Sequence, residues 1–167
     1  MGEASRDTIP AVSDTTDQYL EAQRRIEADM QAWTAWSDDQ AAYLREHVWA
    51  MLATGKRDGS PQVSMIGYLF DDDGTILISA KAYTAKHRNA ARQPKVALIV
   101  PDGAKQLVIY GTAEAIADDP TRLDLSAKLF PKIFRTPVDN PADLLPTLVA
   151  QQRTVLRITA TRAFFQG

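Results

Sequence analysis

Apolar and polar side chains alternate most clearly in the middle of this chain. From Pro61 to Phe70, Val63, Met65 and Leu69 share one face, and Gln62, Ser64, Ile66, Tyr68 and Phe70 share the other. That period of two predicts a strand with two unlike faces. Just before it, Val48-Trp-Ala-Met-Leu-Ala-Thr is an apolar run that predicts a strand buried on both faces. Lys56-Arg-Asp-Gly-Ser joins the two as a turn, because Asp-Gly supplies the positive φ that a tight reversal needs. Asp71-Asp-Asp-Gly makes the next turn, and Thr75 to Ala80 is a third strand. Lys95 to Val100, Leu107 to Ile116 and Thr154 to Thr159 complete a set of six, with Ala163-Phe-Phe extending the last.

Helical periodicity occupies the remaining segments. A helix from Ser13 or Asp14 to about Trp36 carries the stripe Tyr19, Ala22, Ile26, Met30 and Trp33. Ser37-Asp-Asp-Gln fits a capping box and opens a second helix that runs to about Glu46. A short basic helix starts at Thr84 and ends before Pro94. Asp119-Pro120 reads as an N-cap with proline at the first helical position, for a helix to about Phe130. Asn140-Pro141 repeats that signal for a helix to about Gln152. The order of elements is not an alternating βαβ series, so hairpin-linked strands form an antiparallel barrel with helices at its ends. The expected class is mainly β (α+β). Residues 1–36 are expected to form a tail and an extra helix, and residues 37–167 the barrel domain.

Composition narrows the function classes. The 167 residues are 45% hydrophobic and 24% charged, as in a globular protein with a real core. A net charge of −2 offers no overall basic field for nucleic acid or an anionic membrane. No apolar run approaches the roughly 18–20 residues that cross a bilayer. There is no cysteine, hence no thiolate chemistry or disulfide, and only two histidines, so no metal centre is expected. The chain reads as cytoplasmic.

Against this acidic background, Gly74 to Pro101 contains no Asp or Glu, yet it holds Lys81, Lys86, His87, Arg88, Arg92 and Lys95. Lys86 and His87 fall in the first turn of the basic helix, where the helix dipole favours anions and disfavours cations. Free backbone N–H groups, a hydroxyl and converging cations suit a phosphate supplied from outside, with a cofactor as its bearer. The plainer alternative is a solvated basic helix face. Competing motifs fail. Gly55-Lys56 lacks both the earlier glycine and the following Ser or Thr of a Walker loop, and Asp71-Asp-Asp-Gly lacks the ligand spacing of a calcium loop. Neither a nucleophile elbow nor a His-Glu-x-x-His zinc motif occurs.

The block Val48–Thr54, Asp58-Gly-Ser-Pro-Gln62, the hairpin to Ile76-Leu-Ile-Ser79, then Lys86-x-x-Asn89-x-x-x-x-Pro94 before Val96-Ala-Leu-Ile-Val, resembles the pyridoxamine 5′-phosphate oxidase-like split-barrel proteins. Within them it is most similar to the branch that includes reductases dependent on the deazaflavin coenzyme F420. The resemblance spans roughly Ser37 to Phe165. It implies a six-stranded antiparallel split β-barrel with peripheral helices, paired as a homodimer with cofactor sites at the subunit interface. It also implies an oxidoreductase passing hydride between coenzyme F420, or FMN as the second choice, and a small organic substrate. By the same resemblance Ser79 and Lys86 hold the cofactor phosphate, with Arg88 and Asn89 adjacent and Thr84 at a position where some members carry arginine. Pro61, Gln62, Val63 and Ser64 then lie beside the flavin ring. No catalytic residue is implied, since the cofactor carries the difficult chemistry. Where the FMN oxidases proper carry an Arg…Leu-Leu-Lys signature, this chain reads Met65-Ile-Gly-Tyr-Leu. The alternatives are a non-catalytic flavin or F420 carrier or sensor, and an FMN-dependent pyridoxamine phosphate oxidase-like enzyme.

Overall fold

The computed structural model describes residues 16–21, 23–24 and 35–166. Residues 1–32 and 33–167 form two separate units. Of the first, residues 16–21 and 23–24 are helical, with Tyr19 and Leu20 exposed. The other members of the expected stripe, Ala22, Ile26, Met30 and Trp33, lie outside the described residues.

The second unit opens with helix α1 (Asp38–Glu46), and its capping box forms as expected. The Gln40 amide donates to Ser37 Oγ at 3.2 Å and the Ser37 amide donates to Gln40 Oε1 at 3.2 Å. Such a cap contributes about 1 kcal/mol. Seven strands follow, one more than expected: β1 (Trp49–Gly55), β2 (Pro61–Gly67), β3 (Leu69–Phe70), β4 (Ile76–Lys81), β5 (Lys95–Asp102), β6 (Lys105–Ile116) and β7 (Arg153–Gln166). Helix α2 (Ala85–Arg92) lies between β4 and β5. Helix α3 (Thr121–Phe134), a 3₁₀ turn (Pro141–Leu144) and helix α4 (Leu145–Ala150) lie between β6 and β7.

The extra strand comes from splitting the predicted Pro61–Phe70 segment. The sheet order is β2-β1-β5-β6-β7-β4-β3, with every pairing antiparallel. Consecutive strands β2 and β3 therefore sit at opposite edges, joined only by Tyr68. A flat sheet cannot place its two edges one residue apart, so the sheet curls on itself into a split barrel. Tyr68 is fully buried, and its hydroxyl donates to the Leu44 carbonyl at 3.1 Å. Gly67 leaves room for α3, since a Cβ there would meet Ile133 Cγ2 at 2.9 Å.

Two helix starts also differ from expectation. Pro120, preceded by a cis bond, is itself the N-cap of α3, and Pro131 is accommodated before the helix ends at Arg135 in the left-handed region. After Asn140, whose side chain accepts from the Ala142 amide, the chain forms a 3₁₀ turn and then α4 rather than one helix. Pro146 accounts for the change, because it has no N–H for the i→i−4 ladder at the junction.

The barrel interior is filled by Leu44, Leu52, Ile76, Ile78, Leu98, Leu107, Ile109, Leu156 and Ile158. On the opposite face of β4 and β7, Leu77 and Val155 pack beneath Leu125 and Leu129 of α3. Lys128 of α3 donates to the buried Asp71 at 2.7 Å, which ties the helix to the β3–β4 turn. Helix α2 is held differently, by a chain of polar side chains. Arg92 Nη2 donates to the Gly55 carbonyl at 2.7 Å and to Asn89 Oδ1 at 3.2 Å. Buried Asn89 donates to Thr54 Oγ1 at 3.2 Å, and Thr54 donates to Gln62 Oε1 at 2.9 Å. Gln62 Nε2 then donates to Ser64 Oγ at 2.6 Å.

Removing Asn89 leaves Thr54 and Arg92 short of partners inside the helix–sheet junction. Asn89→Ala is expected to cost about 1–3 kcal/mol in urea unfolding. An unchanged unfolding midpoint would contradict the anchoring role.

Candidate functional site: a cationic groove along helix α2

Helix α2 begins at Thr84, as expected, with the cap residue extended at φ −77° and ψ 152°. Its hydroxyl does not cap the helix. It turns back and donates to the Lys81 carbonyl at 2.7 Å. No acidic residue lies in the first turn, so nothing within the helix offsets the positive end of its dipole. Lys86 is half-buried, and among the described residues neither it nor Arg88 pairs with a carboxylate.

Along the outer face of α2 runs an open groove of about 910 Å³, bounded on its other side by the β1–β2 turn. Lys56, Arg57, Arg88 and Arg92 line it against one carboxylate, Asp58. That carboxylate accepts from Ser60 N at 3.0 Å and Ser60 Oγ at 2.6 Å, and these bonds hold its pKa below the usual Asp value. Lys56 lies 4.0 Å from that carboxylate and Arg92 is bonded to Gly55 and Asn89, so the four cations leave the groove with a net positive lining.

The structure distributes the expected site residues unevenly. Arg88 and Asn89 line the groove, although the Asn89 amide points into the anchoring chain. Gln62 and Ser64 are partly buried on the face of β2 opposite Val63, and Gln62 Nε2 donates to Ser64 Oγ. Val63 is on the exposed outer face, and Pro61 begins the edge strand beside a shallow cleft of about 300 Å³ that includes Lys95 and Tyr110. Ser79 lies on the α3 side of β4, where its hydroxyl accepts from Arg153 at 3.0 Å, away from the groove lining. Tyr68 donates its hydroxyl to the Leu44 carbonyl, and burial pushes its pKa far up. Trp36 packs edge-on against Phe70 and donates to the Gly74 carbonyl, while Trp49 is exposed.

Three contributors escaped sequence reasoning. Lys56 and Arg57 read only as turn residues, although two cations flanking an Asp-Gly reversal were a usable signal. Arg153 gave no local signal at all. It reaches Ser79 only because β7 pairs with β4, with Lys81 opposite Arg153.

Among the described residues no group of His, Asp and Glu could hold a metal ion, and no helix is long and apolar enough to cross a membrane.

The fold is a split barrel with a cationic groove along α2, whose lining includes neither Thr84 nor Lys86. Residues 37–167 match the pyridoxamine 5′-phosphate oxidase family, and the chain belongs to that family. An F420H(2)-dependent biliverdin reductase of Mycobacterium tuberculosis is 34% identical over 109 residues, covering 65% of this chain and 79% of the relative. A conserved hypothetical protein of M. tuberculosis superposes with TM-score 0.67 at 22% identity, covering 83% of this chain and 86% of that one. An F420 reductase structure superposes with TM-score 0.59 at 24% identity, covering 77% and 98% respectively.

His87 contributes a pH dependence. Both ring nitrogens are buried without a hydrogen bond. Burial lowers the pKa below the ordinary 6.5, and the nearby Ala82 carbonyl opposes this only in part. The folded state thus resists a proton that the unfolded chain accepts. Stability is full above the ordinary value and falls as pH drops from there toward the folded value. Urea midpoints measured from about pH 7.5 to 5.5 should fall, and His87→Leu should flatten that slope. An equal slope in the variant would contradict the assignment.

Proposed function

We propose that this protein is a flavin- or deazaflavin-dependent oxidoreductase, with coenzyme F420 preferred over FMN, acting on a small conjugated organic acceptor. The observation that carries the reading is the uncompensated cationic entrance of α2. A cofactor phosphate supplies the missing negative charge there, held by the free N–H groups of the first turn and by Lys86 and Arg88. The preference for F420 draws support from the reductase relative and from the missing FMN-oxidase signature at Met65-Ile-Gly-Tyr-Leu. The bound cofactor would supply the hydride chemistry. The chain's own share is then to bind, orient and exclude water. Gln62 and Ser64, rigid within the anchoring chain, keep β2 in fixed register beside the α2 site.

The reading includes a homodimer. Trp49, Met51, Val63 and Met65 share the outer face of β1 and β2, with exposures from 42% for Met51 to 69% for Met65. A contiguous apolar face on an edge pair of strands is what a second copy would cover. Covering it would shield the ring-side residues Pro61 and Val63 from water.

Titration with F420 and FMN, followed by absorbance and fluorescence, tests the assignment. Binding of either cofactor is expected, and Lys86→Ala should weaken it by about 1.5–3 kcal/mol, the range for a charge-assisted contact. Unchanged affinity in a folded variant would leave the phosphate site empty of meaning. Sedimentation should give a dimer that Met65→Lys dissociates. A monomeric parent protein would refute the subunit-interface arrangement.

A further inference from the structure

A second cavity, of about 490 Å³, lies on the other side of β4 from the barrel core and shares no lining residue with the cationic groove. Its walls come from the end of α3, the segment 136–139 and the 3₁₀–α4 connection, and Arg153 at the start of β7 lines it as well. We propose that this cavity is a second ligand site, and that it takes a flat organic carboxylate whose acid group pairs with Arg153 beside Phe130 and Phe134. The proposal rests on the cavity alone and goes beyond the oxidoreductase reading.

Arg153 is half-buried, yet its partners are neutral. Its Nε donates to Gln151 Oε1 at 2.7 Å and its Nη1 to Ser79 Oγ at 3.0 Å. The guanidinium carbon is 4.7 Å from the Phe134 ring centroid and 5.9 Å from that of Phe130. No ion pair among the described residues includes it. Burial accordingly lowers its pKa, but a guanidinium remains charged. The result is a fixed positive charge, stacked and oriented, with Nη2 engaged by neither bond. A carboxylate matches that fork in geometry as well as charge.

Two aromatic rings beside the fork favour a planar ligand over a small inorganic anion. The rim adds a second selection. Asp139 and Asp143 are exposed and also line the cavity. They repel a second negative charge at the mouth and favour a ligand that ends there in N–H or another donor. The recognised class is thus a conjugated acid with its carboxylate at one end only.

The test uses the full chain without added cofactor, titrated calorimetrically with naphthoate and, in parallel, with the neutral naphthamide. Naphthoate is expected to bind about tenfold or more tightly than the amide. Arg153→Gln should erase that difference, and Arg153→Lys should restore part of it. Thr147→Phe, which fills the cavity and leaves Arg153 in place, should abolish binding of both probes and carries the test if Arg153→Gln does not fold. Equal affinity for acid and amide, or an undiminished preference in folded Arg153→Gln, would overturn the proposal. So would an Arg153→Gln protein that loses cofactor affinity but keeps naphthoate, because Arg153 would then serve the cofactor through Ser79. Absence of F420 and FMN binding strikes at the oxidoreductase reading instead, and leaves the carboxylate comparison to be judged by itself.

Discussion

Helix α2 is held by one end and charged at the other. Asn89, buried at the helix–sheet junction, receives Arg92 and reaches Thr54, and from there the chain of bonds passes to Gln62 and Ser64 on β2. Buried polar groups satisfied in this way fix orientation more strictly than apolar packing does, since each lost bond exposes the next. These bonds anchor the helix to β1 and β2 through its second half. Its first turn keeps its free N–H groups beside Lys86, with no internal anion to offset them. An unfavourable local arrangement, costing about 0.3–1 kcal/mol per misplaced cation, is retained within an otherwise well-satisfied fold. Such exceptions to local consistency mark functional sites.

Much of this arrangement is visible in the residue pattern, for physical reasons that can be named. The capping box at Ser37, the Asp-Gly turn at Gly59 and the apolar β1 run are local, and each depends on neighbours within a few residues. The basic island around α2 is legible for the same reason, since charge composition survives folding unchanged. What fails is whatever depends on distant partners. The break at Tyr68 follows from closing the sheet, where one residue links two opposite edges. Gln62 and Ser64 share a strand face with Ile66, Tyr68 and Phe70, and the resemblance places them beside a flavin ring. Their inward placement needs Thr54 and Asn89, which come from other elements. The exposed residues on that strand are instead Val63 and Met65.

The distribution of positive charge separates two kinds of site. Around α2 the cations are mostly exposed and several, which suits a multiply charged group held through mobile side chains and backbone amides. Beneath α3 a single guanidinium is half-buried, stacked and oriented, which suits one carboxylate in one pose.

The most direct measurement is a crystal structure of the protein with bound F420, or with FMN if F420 does not bind. The account predicts the cofactor phosphate at the α2 entrance, within hydrogen-bond distance of the first-turn amides and in contact with Lys86. A phosphate bound elsewhere, with that entrance open to bulk water, would contradict it.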